Sequence, residues 1–125
     1  VAHDGILIAT PEYNGSMPPL LKNAIDWVSR VRKDGDRPLQ PLPGKVVAIC
    51  SSSNGHFAGI RSAAHLRAVL SHIQMEVIAP QCSVPNAGEA FDENGDFVAE
   101  RLRKSMHNVC RTLIERAWLL SARER

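Results

Sequence analysis

Two periods organise the hydrophobic positions of this chain. Ile6-Leu7-Ile8-Ala9 is an unbroken apolar run without alternation, which is how a strand covered on both faces reads, and such strands belong to parallel sheets. Lys45–Cys50, apolar from Val46 onward, reads as a second strand, and Glu76–Ala79 as a short third one that Pro80 stops. Between and after them the period changes to that of a helix. Met17, Leu20, Leu21, Ala24, Val28 and Val31 predict an apolar face on a helix over 17–32. Ile60, Ala63, Leu66, Leu70 and Ile73 predict one over 59–73. Val98, Leu102, Met106, Val109, Leu113, Ala117 and Leu120 predict a last helix capped by Asp96. The order is βαβαβα. Right-handed crossovers then place helices on both faces of one α/β, doubly wound parallel sheet.

The polar segments sit where such a sheet needs loops. Thr10–Gly15 turns the chain after the first strand: Pro11 presets φ, and Asn14-Gly15 is a strong turn pair. Ser16 is placed to cap the next helix, and Pro18 and Pro19 suit its first turn, where a missing N–H costs little. Residues 33–44, rich in Pro, Gly and charge, read as a surface connection. Ser51–Ala58 is a loop of mostly small residues, and 81–95 reads as irregular. Ligands of open α/β sheets bind at the carboxyl ends of the strands, which are the places held by the turn after Thr10 and the serine-rich loop after Cys50.

These residues carry a resemblance. T-P-E-Y-N-G-S followed by P-x-L-L-K-N-A-I-D-W, at residues 10–27, is similar to the signature of the NADPH-dependent FMN reductase family, whose fold is flavodoxin-like. Residues 51–61 with Leu66-Arg67 resemble the family's second flavin loop, and Val84-Pro-Asn-Ala87 with Glu89-Ala90-Phe91 resembles its later loop. The similarity runs over nearly the whole chain, the tail after about Trp118 being generic. It implies FMN as cofactor, NADPH or NADH as hydride donor, and homodimers or homotetramers with the flavin near a subunit boundary. A domain of this type has five parallel strands, and three are legible here behind a chain that opens on Val1. The expectation is therefore a C-terminal portion of a single flavodoxin-like domain, with the first strands and the phosphate loop preceding Val1. No Gly-rich phosphate loop occurs in these residues.

The chemistry follows from the loops. A flavin ring needs a flat slot and backbone groups at its pyrimidine edge. N–H groups at a strand-to-turn junction lack a ladder partner and can face ring carbonyls. The resemblance implies that Pro11, Glu12, Tyr13 and Asn14 line that edge, that Ser52 contacts FMN, and that Ser53 and Gly55 lie beside it. Glu12 is a general base by residue type, but a flavin carries its own hydride chemistry; Glu12 reads as a solvated turn carboxylate, and no residue is assigned as catalytic. A paired glycine is usual in the family where Ala58-Gly59 stands, so the Ala58 Cβ is expected to crowd the nicotinamide or a neighbouring subunit. Trp27 reads as packing or interface. Lys22 and Asp26, one helical turn apart, can pair for about 0.2–0.5 kcal/mol.

Composition removes other classes. Net charge is +2, from 15 basic and 13 acidic residues among 125, which makes no electrostatic case for nucleic acid or a membrane surface. No apolar run nears the ~20 residues of a membrane span. Cys50, Cys82 and Cys110 form no paired framework and fit a reducing cytosol, with Cys50 read as a core thiol. The five histidines show no zinc spacing: His65 and His72 lie two helical turns apart, and His56 reads as a solvent-facing ring. Asp92–Asp96 hints at a calcium loop but lacks its glycine and glutamate, and reads as a turn.

The expected function is an FMN-dependent NAD(P)H oxidoreductase that passes a hydride to bound FMN and then to a small acceptor such as a quinone, an azo compound, chromate or free flavin. The alternative is a flavodoxin-type electron carrier or a non-catalytic FMN-binding module. Residues 1–125 by themselves are expected neither to fold stably nor to hold FMN tightly, because the first strand would present an open apolar edge.

Overall fold

A computed structural model describes residues 3–121. The elements are β1 (Gly5–Pro11), α1 (Pro19–Val28), a small hairpin of β2 (Lys33–Asp34) and β3 (Arg37–Pro38), β4 (Val46–Ser52), α2 (Ile60–His72), β5 (Glu76–Val84), a single 3₁₀ turn (Ala87–Glu89) and α3 (Glu100–Ser121). Three parallel strands form the main sheet in the order β1-β4-β5. None of the described helices is long and apolar enough to cross a membrane.

β4 is the centre and shows why its sequence is apolar throughout. Val46, Ala48 and Cys50 face one cluster, with Ile78, Cys82, Leu102 and Val109. Val47 and Ile49 face the other, with Ile25, Ala63, Leu66 and Leu70. α3 therefore covers one face of the sheet and α1 with α2 the other, as parallel strands need. β1 is less enclosed than expected. Ile6 and Ile8 pack toward α1 and α2, but Leu7 is 44% exposed, because α3 reaches only the start of this strand, where Leu113 and Ala117 approach Gly5.

Three elements differ from their sequence reading. β5 runs on through Pro80 for nine residues. Val77 pairs with Val47 and Gln81 with Ile49, so a four-residue step on β5 faces a two-residue step on β4. Pro80 sits in that bulge, where the ladder asks for no N–H. The Arg67 guanidinium takes up the slack, donating to the Ile78 carbonyl at 2.8 Å and to Gln81 Oε1 at 3.2 Å.

α1 begins at Pro19 behind Pro18 and ends at Val28, four residues short of the predicted Arg32. Its last turns tighten: Arg30 N–H bonds Trp27 O, Val31 N–H bonds Val28 O, and the Ser29 hydroxyl donates to Asp26 O. The buried side of α1 is Leu21 and Ile25, whereas Leu20 is 79% exposed and Trp27, Val28 and Val31 are also exposed. The expected Lys22–Asp26 pair is present at 2.8 Å. α3 starts at Glu100 instead of Asp96, because Asp96 closes a turn: Asp92 Oδ1 accepts the N–H groups of Asn94 and Asp96, and Phe91 bridges Phe97. Asp92–Asp96 is thus the turn it was read to be, and the later part of the α3 apolar face, from Leu102 on, is the inner one.

Cys50 is buried, and desolvation pushes its thiol up to about 11, with Cys82 and Cys110 adding to the shift. The thiolate is the reactive form, and an ordinary thiol titrates near ~8.5. Alkylation of the native protein near pH ~8 should therefore leave Cys50 unmodified by peptide mapping and modify it once urea unfolds the chain. Native labelling of Cys50 as fast as that of unfolded protein contradicts this burial.

Candidate functional site

The turn after β1 closes on itself. Tyr13 and Ser16 exchange both backbone hydrogen bonds, N–H to O at 2.9 and 3.1 Å, across Asn14 and Gly15, whose φ values are 50° and 80°. Two successive left-handed residues make the tight turn that Asn-Gly favours, so the turn expected from this pair is found. Ser16 does not cap α1. Its backbone is used in the turn, and its hydroxyl lies 2.9 Å from His65 Nδ1 on α2.

That contact is one of three that fasten the turn to the beginning of α2. The Thr10 hydroxyl lies 3.1 Å from the Ser62 hydroxyl, buried. Glu12 Oε2 accepts the Arg61 N–H at 3.2 Å, and Glu12 Oε1 pairs with the Arg61 guanidinium. Glu12 is therefore not the solvated carboxylate its place in a turn suggested: its side chain is 8% exposed. The reason lies in α2. Its N-cap is Gly59, which has no side chain to satisfy the first free N–H groups. A carboxylate from the turn after β1 does so instead, at the end of the helix dipole that favours negative charge.

The Arg61 side-chain bond holds the Glu12 carboxyl below its usual 4.5, against the opposing effect of burial, and the Arg61 charge and the N–H groups of Arg61 and Ser62 lower it further. A depressed carboxylate contributes stability that is present above 4.5 and is lost as pH falls through the lowered value of the folded state.

The second loop is built from β4. The Ser51 hydroxyl donates to Ala58 O at 2.8 Å and lies 2.9 Å from the Ser83 hydroxyl. Ala58 and Gly59 are both left-handed, with φ of 57° and 73°. Ala58 is buried, so its methyl is covered by the protein itself. Ser53 Oγ accepts the Gly55 N–H at 3.0 Å. Ser53 also binds the third loop, its N–H donating to Val84 O at 3.1 Å and its carbonyl accepting from Ala87 N–H at 3.0 Å. Asn54, Asn86, Gly88 and Glu89 line an open cleft between these two loops.

All three loops that carried the resemblance thus share the carboxyl rim of the sheet, where Pro11 pairs with Ser52 in register and Ser52 with Val84. Of the site residues expected from sequence, Pro11, Tyr13 and Asn14 are exposed, with Tyr13 at 56%, Ser52 and Ser53 are half-buried, and Gly55 is exposed. Among the described residues, the N–H groups of Asn14, Asn54, His56 and Phe57 have no backbone partner. Unpaired donors on two adjoining loops, with the exposed rings of Tyr13 and Phe57 beside them, fit the polar edge and a flank of a flat heteroaromatic ring. Sequence reasoning missed Thr10, Arg61, Ser62 and His65 as the parts that join the loops. A glycine at a helix start, with nothing local to cap it, was the available signal. A separate cavity of about 660 Å³, lined by residues such as Asp26, Arg30, Leu42 and Ile73, lies toward the amino end of β4, away from this rim.

Comparison with known proteins bears on the family and the fold. Residues 1–89 match the sequence profile described as NADPH-dependent FMN reductase. The chain is 38% identical over 113 residues to an NAD(P)H-dependent FMN reductase of Pseudomonas aeruginosa, covering 90% of this chain and 58% of that protein. It is 49% identical over 75 residues to a quinone reductase of Escherichia coli, covering 60% of this chain and 37% of the other. It is also similar in structure to FerB, a flavoenzyme NAD(P)H:(acceptor) oxidoreductase of Paracoccus denitrificans: the TM-score is 0.76 at 28% identity, over 91% of this chain and 60% of FerB. The parallel sheet with helices on both faces is flavodoxin-like, as in that neighbour. The chain spans about half the length of these relatives, 58%, 37% and 60% respectively.

Proposed function

Since this chain belongs to the NADPH-dependent FMN reductase family, we propose that its carboxyl rim is the ring-binding part of the flavin site in an FMN-dependent NAD(P)H oxidoreductase. The observation that carries this reading is the joining of the turn after β1 to the loop after β4 through α2, with unpaired N–H groups on both. Pro11, Glu12, Tyr13 and Asn14 border the pyrimidine edge, where backbone N–H groups donate to ring carbonyls. Ser52, Ser53 and Gly55 border the ring from the second loop. When bound, FMN supplies hydride transfer from NADPH or NADH to a second acceptor. The protein's part is to bind, orient and exclude water from one face, and no side chain here is needed as acid or base.

The acceptor is a small oxidant, and a quinone is favoured by the names of similar proteins, among them a 2-hydroxy-1,4-benzoquinone reductase of Burkholderia. Homodimers or homotetramers, a cytoplasmic location, and these residues as the later part of one flavin domain complete the reading. Purified full-length protein should show flavin absorption bands, or acquire them with FMN, and NADPH should bleach them in the absence of oxygen. Protein that stays colourless with added FMN overturns the assignment. Sustained NADPH oxidation with a quinone separates a reductase from an electron carrier.

A further inference from the structure

α2 has no cap of its own, and the group that serves its first N–H donors comes from 49 residues upstream. Two further contacts flank that carboxylate, Thr10 to Ser62 and Ser16 to His65, so Glu12 is the charged middle of a three-point seam. The guanidinium of Arg61 pairs with Glu12 on one side and lies 5.7 Å from the centre of the Phe57 ring on the other, which carries the seam into the second loop. A flat ring that accepts hydrogen bonds from both loops can do so only when their separation is right. Fixing that separation beforehand raises affinity without adding a contact.

We propose that Glu12 is a positioning residue for the flavin: its carboxylate, seated on the start of α2, holds the turn after β1 against the loop after β4, and flavin affinity depends on that tie. The inference rests on the flavin reading above and adds a side chain that acts through the loops. The bonds are charge-assisted, so a neutral isostere keeps the shape and loses most of the hold.

The test is binding of lumiflavin, which carries the ring without a phosphate, to the full-length protein by fluorescence quenching across pH. Glu12→Gln should bind about tenfold more weakly at neutral pH, as for a loop pair competent roughly one time in ten. Arg61→Gln, which keeps the backbone donors, should lie between this variant and wild type. Wild-type affinity should still hold at 4.5 and fall only as pH drops through the lowered value of the folded Glu12 carboxyl, while the Glu12→Gln profile lacks that fall. The other charged or titratable groups on the elements around the turn are Arg61, His65, Arg67 and His72 on α2, His56 before it, and Lys22 and Asp26 on α1. Asp26 on α1 and Glu89 in the cleft beside the second loop are carboxylates as well, so the acid fall is assigned to Glu12 by its loss in Glu12→Gln. Val109→Ala, in the core under α3 on the opposite face, should lower stability yet keep wild-type affinity and profile. If wild type binds lumiflavin and Glu12→Gln binds within about twofold of it with the same pH profile, the positioning role is wrong and the flavin reading stands. If wild type binds no flavin at any pH, both fall.

Discussion

Leu66→Ala should lower the free energy of unfolding by about 2–5 kcal/mol, read from urea denaturation at constant m. Leu66 has no exposed surface and packs with Val47, Ile49, Ala63 and Leu70 between α2 and the sheet. Its side chain is surrounded by strand and helix atoms that cannot all collapse into the space it leaves, so both the lost transfer energy and the cavity count. The companion variant is Leu20→Ala on α1, where the side chain is 79% exposed and the expected change is within about 0.5 kcal/mol. Equal losses at the two positions would mean that α1 presents a different face to the sheet.

Gly59→Ala should cost about 1–3 kcal/mol, from two sources. Gly59 has φ of 73°, and a Cβ there would stand 3.1 Å from Ser51 Cβ and 3.2 Å from Ser52 O. Gly15 offers the control, with φ of 80° and nothing within 4 Å of an added Cβ. Gly15→Ala meets backbone strain alone, about 1 kcal/mol, so the difference between the two variants measures the contact under the second loop. Gly59→Ala should also raise protease sensitivity around residues 53–58, because Ser51 must shift to admit the methyl and its bond to Ala58 O is lost. A Gly59→Ala protein no less stable than Gly15→Ala would refute the close packing of that loop on β4.

The parts of this fold that were legible were those whose cause is local. β4 is an apolar run because both its faces are covered, and α2 repeats at helical spacing because one side meets the sheet. The Asn14-Gly15 turn follows from what those two residues tolerate in the backbone. α1 shows the limit. Leu20, Ala24, Trp27 and Val31 form one apolar stripe and Met17, Leu21 and Ile25 another, and spacing does not say which faces inward. The sheet takes Leu21 and Ile25. Pro80 misled for a similar reason: a proline ends a regular ladder, but a bulge depends on the partner strand, which lies 30 residues earlier. The turn and the serine loop could be picked out as site material from their composition and resemblance. What joins them could not, since Glu12 and Arg61 are distant in sequence and meet only because β1 and β4 lie side by side.

The bulge in β5 has a consequence for contact between molecules. An outer strand with an even row of donors and acceptors is a template on which a strand from another copy can zip. Here the row is broken at Ile78–Pro80: one position has no N–H to offer, and the Ile78 carbonyl is already bound to Arg67. A visiting strand in step with Glu76-Val77 is out of step with Gln81–Val84, so neither half is long enough to hold it. Among the described residues β5 is an outer strand of the sheet, and the bulge makes that side a poor template for edge-to-edge growth.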